Sequence, residues 1–118
     1  MNKEIKLTNF TISEIYHNRE KLGQLVQVRV GGWVKSVRES KKKVFIPLND
    51  GSCLASLQLV FSFDLAKEIE EVNLGSSLMV SGKLVLTPER AQSCELQVRT
   101  IEFFNVNSLE CGEINILP

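Results

Sequence analysis

The sequence predicts an all-β fold: a five-stranded Greek-key barrel, with a helix between strands 3 and 4 and a short N-terminal helix. Three observations carry this prediction. Apolar and polar residues alternate in five short runs, which is the period of a half-buried strand. Helical spacing interrupts the alternation between the third and fourth runs. A glycine pair, Gly31-Gly32, lies inside the first run, where a small barrel has to bend a strand to turn a corner.

Residues 1–10 read as a lead-in. Over 11–19, Ile12, Ile15 and Tyr16 share one helical face, with Thr11 or Ser13 as the cap, and Gly23 closes the segment. Val26, Val28 and Val30 then alternate with Gln27 and Arg29, and Trp33, Val34 and Val37 continue this first strand beyond the glycines. The polar, basic stretch 38–43 reads as a loop. In the second strand Val44, Ile46 and Leu48 share one face, with Phe45 and Pro47 on the other. Asn49-Asp50-Gly51-Ser52 is a strong turn signal. In the third strand Leu57 and Leu59 point one way, Gln58 and Val60 the other. Helical spacing of Leu65, Ile69 and Val72 predicts a helix over 63–72, capped by Asp64 and closed by Asn73 and Gly75. Leu78, Val80, Leu84 and Leu86 make a fourth strand bent near Gly82, residues 87–93 form a polar loop, and Leu96, Val98 and Ile101 make a fifth strand. The domain is therefore expected over 1–104, with 105–118 as a linker or tail. Three strands, a helix and two strands is the layout of an OB-fold.

Composition bounds the function. A chain of 118 residues, 43% hydrophobic and 24% charged, is one folded domain with a core of its own. Fourteen basic residues balance fourteen acidic ones, which excludes a histone-like polycation and leaves room for a local basic patch. Cys53, Cys94 and Cys111 are widely spaced and His17 is the sole histidine, so no metal site is expected and the thiols read as free in a reducing cytoplasm. No apolar run has the length of a membrane span, no signal-peptide core is visible, and the Asn9-Phe10-Thr11 glycosylation triplet reads as chance. There is no nucleophile elbow, phosphate loop or zinc-protease motif, and His17 has no visible partner. The expectation is a binding module with no catalytic residues of its own.

Lys35, Arg38, Lys41, Lys42 and Lys43 fall within nine residues, opposed only by Glu39. Alone, such a run is a solvated loop. The neighbouring strands give it another meaning. If Val44, Ile46 and Leu48 face the core, Phe45 faces out; if Leu57 and Leu59 do, so does Gln58. An outward ring stacks on a base, an outward amide reads its Watson–Crick edge, and cations hold phosphates, which is what single-stranded RNA recognition requires. The plain alternative buries Phe45 beneath a loop or the N-terminal helix, and Trp33 beneath the helix or a tail. On the fifth strand Glu95, Gln97 and Arg99 face out, and Glu95 either accepts from base amino groups or is an ordinary surface acid. Beside an RNA reader, two other functions fit: a general single-strand binder, and a protein-interaction domain whose barrel docks a partner, which the zero net charge and the apolar tail Ile114, Ile116 and Leu117 suit.

The segments Gly32-Trp33-Val34-Lys35-Ser36-Val37-Arg38-Glu39-Ser40-Lys41, Val44-Phe45-Ile46, Leu48-Asn49-Asp50-Gly51-Ser52-Cys53, Leu57-Gln58-Leu59-Val60 and Val80-Ser81-Gly82-Lys83-Leu84-Val85 together resemble the N-terminal anticodon-binding domain of class II asparaginyl-tRNA synthetase, over about residues 23–104. Aspartyl and lysyl relatives share the barrel, the outward Phe and the Gln, and the Asn-Asp-Gly-Ser turn points to the asparaginyl branch. The resemblance implies that Phe45 stacks on the middle anticodon base, a uridine, that Gln58 hydrogen-bonds its edge, and that Arg38 contacts the same nucleotide or its phosphate. It matches Glu95 to a glutamate that helps read a neighbouring base in the aspartyl relatives, and places the loop 87–94 beside the remaining bases. It implies tRNA, specifically tRNA-Asn, as the partner. It implies a parent enzyme, a homodimer, whose separate catalytic domain uses ATP and Mg to join asparagine to that tRNA. No cofactor is expected in this domain, which is expected to be monomeric in isolation. The class II catalytic motifs are absent and no Tyr-Pro hinge is recognisable in 113–118, so an excised domain of a longer synthetase is favoured over a free-standing relative.

Overall fold

The predicted alternation builds its strands, and a computed structural model describes residues 9–106 of the chain. In chain order the elements are α1 (Ile12–His17), α2 (Arg19–Leu22), β1 (Val28–Val34), β2 (Arg38–Ser40), β3 (Lys43–Asn49), β4 (Leu57–Ser62), α3 (Phe63–Ala66) running into a 3₁₀ turn (Lys67–Ile69), β5 (Ser77–Leu86) and β6 (Cys94–Asn105). β1 pairs with β5 along Val28–Trp33, and its end pairs with β3 at Trp33↔Asn49 and Val34↔Leu48. The order β1-β5-β6-β4-β3 thus returns to β1 and closes a five-stranded barrel. Only β4 and β6 run parallel among these pairs. A parallel pair needs a long crossover, supplied here by α3, the 3₁₀ turn and β5.

Closure requires backbones to approach where side chains would block them. A Cβ on Gly32 would lie 2.5 Å from the Asn49 carbonyl oxygen, and one on Gly82 would lie 2.1 Å from that of Gln97. The β5–β6 ladder shifts register between Ser81 and Gly82, which is the bend expected there. Inside, Ile46, Leu48, Leu57, Leu59, Phe61, Leu78, Leu84 and Leu96 are fully buried, together with Ile12 and Ile15 from α1.

α1 is tied to the barrel through its N-terminus. Thr11 and Glu14 form a reciprocal capping box. The Ile12 N–H donates to Asp50 Oδ2 at 2.9 Å, and the Ser13 N–H donates to Ser52 Oγ at 2.9 Å. The Asn-Asp-Gly-Ser turn therefore satisfies helix donors that would otherwise be orphaned. Burial pushes the Asp50 carboxyl up, but hydrogen bonds from the Ser52 hydroxyl and from the Ile12 and Ser52 N–H groups outweigh it, leaving the group below its ordinary 3.8. A depressed carboxyl contributes stability that is complete above its unfolded value and disappears as pH falls through the folded one. Asp50→Ala is expected to cost about 1–2 kcal/mol near neutral pH. Urea melts of the two proteins should converge as pH is lowered below 3.8.

Several local expectations change. The basic stretch 38–43 is not a loop. Arg38↔Phe45, Glu39↔Val44 and Ser40↔Lys43 pair, so β2 and β3 form a hairpin projecting outside the closed ring. Lys41 and Lys42 turn it with φ of 52° and 66°, a left-handed geometry usually signalled by Asn-Gly, and that signal is missing. Val26 is 81% exposed because pairing starts only at Val28. Leu86, at the end of β5, is also exposed. Val60 does lie on the outward side but is buried, between Phe45 and Gln97 in the ladder. The helix cap is Ser62, whose hydroxyl accepts from the Leu65 N–H, so Asp64 falls in the first turn, at the positive end of the helix. Helical structure stops at Ile69, short of Val72. Residues 1–8, and 107–118 with Cys111 and most of the expected tail, lie outside the described residues.

Candidate nucleic-acid interface

Strand parity sends every second side chain outward, and the ladders line these up across strands. One outward row runs Arg38, Phe45, Val60, Gln97 and Lys83 across β2, β3, β4, β6 and β5. The row beside it runs Pro47, Gln58, Glu95 and Val85. Arg38, Phe45, Gln58 and Glu95, picked from four separate stretches of sequence, thus share one face.

Phe45 is half-buried, and the Arg38 guanidinium carbon sits 4.6 Å from its ring centroid. This cation–π contact holds the ring from one side, with about 0.5–1 kcal/mol at an exposed site. Pro47 and Val60 supply apolar surface around it. No described residue hydrogen-bonds the Gln58 side-chain amide, which leaves one acceptor and two donors for a ligand. Glu95 is engaged: Arg90 Nη1 donates to its Oε1 at 3.2 Å and Gln97 Nε2 to its Oε2 at 3.5 Å. Arg90 is itself exposed and comes from the β5–β6 loop. That loop is fixed by the Thr87 hydroxyl donating to the Gln92 carbonyl at 2.8 Å and the Thr87 N–H donating to the Ser93 carbonyl at 2.7 Å. Between loop and sheet lies a cleft of about 270 Å³ lined by Gln58, Thr87, Arg90, Gln92 and Glu95.

The cations take different places. Lys41 and Lys42 form the tip of the β2–β3 hairpin, and Lys43 follows on the Phe45 side of β3. All three are exposed, as is Lys35, whose backbone N–H donates to the Pro47 carbonyl just past the end of β1. Lys83 belongs to the Phe45 row, but its ammonium donates to the carbonyls of Gly23 and Leu25 and so anchors the end of α2. Trp33 is 44% exposed and lies over Gly51 rather than beneath the helix, in a separate groove with Phe10, Met79 and Phe103. His17 Nδ1 pairs with the Ser13 carbonyl of its own helix at 2.8 Å. Among the described residues no group of three His, Cys, Asp or Glu side chains is placed to hold a metal, and no helix is long and apolar enough to cross a membrane.

Two neighbours of the face were not picked out as site residues from sequence. Gln97 carried a signal, since the Leu96/Val98 alternation turns it outward. Arg90 was reached only as a member of the loop 87–94 that the resemblance places beside the bases, because an irregular loop has no period from which to read direction.

Residues 28–104 match the tRNA anti-codon family, described as an OB-fold nucleic acid binding domain. An asparagine–tRNA ligase of Hahella chejuensis is 38% identical over 100 residues, covering 81% of this chain and 21% of the ligase. The Bacillus cereus asparagine–tRNA ligase is 39% identical over 99 residues, with the same coverage of 81% and 21%. The chain therefore spans about a fifth of the length of these relatives. Among solved structures, asparaginyl-tRNA synthetase from Pyrococcus horikoshii, complexed with asparaginyl-adenylate, superposes with a TM-score of 0.61 at 22% identity, covering 70% of this chain and 20% of that one.

Proposed function

Because the chain belongs to the anticodon-type family of OB-fold nucleic acid binding domains, we propose that its outward face reads the anticodon of tRNA-Asn, and its middle base above all. The observation that carries this reading is the pair of adjacent outward rows, which brings a stacking ring (Phe45), an unengaged amide (Gln58) and an acid (Glu95) side by side next to a basic hairpin.

The work of the face follows from its chemistry. A uridine leaves the loop stack and lays its ring on Phe45. Gln58, one strand over, meets the uracil N3–H with its carbonyl and a uracil carbonyl with its NH₂. Arg38 supplies a cation to the same nucleotide or its phosphate. Glu95, held by Arg90 and Gln97, accepts from the amino group of a neighbouring base at the β5–β6 cleft. Lys35, Lys41, Lys42 and Lys43 contribute affinity that does not depend on sequence and weakens with salt.

The domain itself performs no catalysis in this reading. It serves a longer asparagine–tRNA ligase, with 1–104 as the reader and 105–118 as the link to a catalytic domain. That enzyme uses ATP and Mg to activate asparagine, is a cytoplasmic homodimer, and draws on its other domain for those steps, while the isolated reader is a monomer. The test is a titration of Gln58→Ala with an anticodon stem-loop carrying GUU and one carrying GAU. Loss of the amide should lower affinity for GUU by about 1 kcal/mol, roughly fivefold, and leave GAU binding unchanged. An equal loss for both loops would refute base reading by Gln58.

A further inference from the structure

We infer that the Lys41-Lys42 turn is a phosphate clamp, kept in a strained backbone so that two ammonium groups flank the nucleotide stacked on Phe45. The inference rests on the anticodon reading above and adds a cost that the fold bears for it.

Both turn residues have positive φ, 52° and 66°. A two-residue hairpin of this mirror-image type selects Asn-Gly, because a Cβ in left-handed backbone meets the following carbonyl. Lysine relieves nothing there. Its long stem is not needed to close the hairpin, which is held by the Arg38↔Phe45, Glu39↔Val44 and Ser40↔Lys43 pairs. Among the described residues the charge is not used inside the protein either. The ion pairs among the described residues are Arg29–Glu102 and Arg90–Glu95, and neither involves the hairpin. Both ammoniums are exposed and unpaired among the described residues, and so are available to an external anion.

The arm that carries them is also the arm that carries the reader. Arg38 on β2 lies against the Phe45 ring, and Lys43 shares the Phe45 side of β3. A base stacked on Phe45 brings its flanking phosphodiesters to that arm. Each phosphodiester bears one negative charge, which a compact, multiply donating ammonium meets without regard to the base.

The experiment compares wild type with Lys41→Asn/Lys42→Gly in thermal melts and in titrations with the GUU stem-loop between 50 and 200 mM salt. The variant should melt roughly 5 °C higher, because strain is relieved. It should bind more weakly, by up to about 25-fold at 0.1 M salt, with the slope of log K against log salt smaller by about 1.4, two phosphate contacts at about 0.7 each. Lys41→Gln/Lys42→Gln should show the same loss of slope without the gain in Tm, which separates charge from strain. Lys21→Gln, on α2, should change neither. Unchanged affinity and slope in both turn variants, while Phe45→Ala still binds weakly, would overturn the clamp and leave the reader standing. An equal loss of slope in Lys21→Gln would overturn it in favour of general charge. A failure of Lys41→Asn/Lys42→Gly to melt higher would overturn the strain. Absence of any wild-type binding would remove the clamp together with the reader.

Discussion

Phe45→Ala is expected to weaken binding of a GUU anticodon stem-loop by about 1–3 kcal/mol, roughly 5- to 150-fold, while the barrel stays folded. The size of the effect follows from the ring's position. Phe45 points outward from a strand whose inward neighbours Val44 and Ile46 are buried, so truncation leaves those core contacts in place. It removes the one aromatic surface in the Arg38–Lys83 row, and it releases the Arg38 guanidinium from its seat at 4.6 Å. Phe45→Leu separates the two contributions. Leucine keeps apolar bulk beside Val60 but has no π-face, so it should preserve Tm and recover little of the affinity. Calorimetric titration and a melt of each variant are sufficient. Binding by Phe45→Ala equal to wild type would remove stacking from the account.

Gly82→Ala is expected to destabilise the barrel by about 3 kcal/mol, at the top of the range for overpacking, with a fall in Tm of roughly 10 °C or more. The added Cβ would lie 2.1 Å from the Gln97 carbonyl oxygen and 2.8 Å from Val98 Cα. Both obstacles are backbone in the β5–β6 ladder, so relief requires the two strands to part. Gly31 provides the comparison. A Cβ there comes within 2.6 Å of Met79, but of the terminal methyl of a flexible side chain, with the nearest backbone atom at 3.3 Å. Gly31→Ala should therefore cost clearly less than Gly82→Ala in urea melts. Equal costs would show that the backbone contact at Gly82 is no harder to relieve than the side-chain contact at Gly31. The consequence reaches the binding face, because Gln97 stands in the Phe45 row and donates to Glu95.

How much of this could be read from sequence depends on which residues carry a period. Val44, Ile46 and Leu48 against Phe45 and Pro47 gave both the strand and its outward side, because a side-chain period of two has no other consequence. The same logic turned Gln58 and Glu95 outward. It turned Val60 outward as well, but parity gives direction and not cover, and the flanking Phe45 and Gln97 supply the cover. The β2–β3 hairpin was hidden for a different reason. Its turn residues are lysines where the geometry favours Asn-Gly, so a sequence rule built on local preference reads 38–43 as an unstructured basic loop. The tie between Asp50, Ser52 and the start of α1 spans nearly forty residues and has no sequence signature, although each partner alone was recognisable as a turn or cap residue. The adjacency of Gln58 and Glu95 depends on the parallel β4–β6 pairing, which no local pattern encodes.

The most direct test of the account is an equilibrium titration of the wild-type domain with two anticodon stem-loops, GUU and GAU, at low and moderate salt. Base reading on the Phe45–Gln58 face predicts a preference for GUU of about tenfold, the scale of one stacked and hydrogen-bonded base. The affinities should fall together with salt while their ratio holds, because phosphate contacts are common to both loops. Equal binding of the two loops at both salt concentrations would contradict base reading and reduce the face to an electrostatic platform.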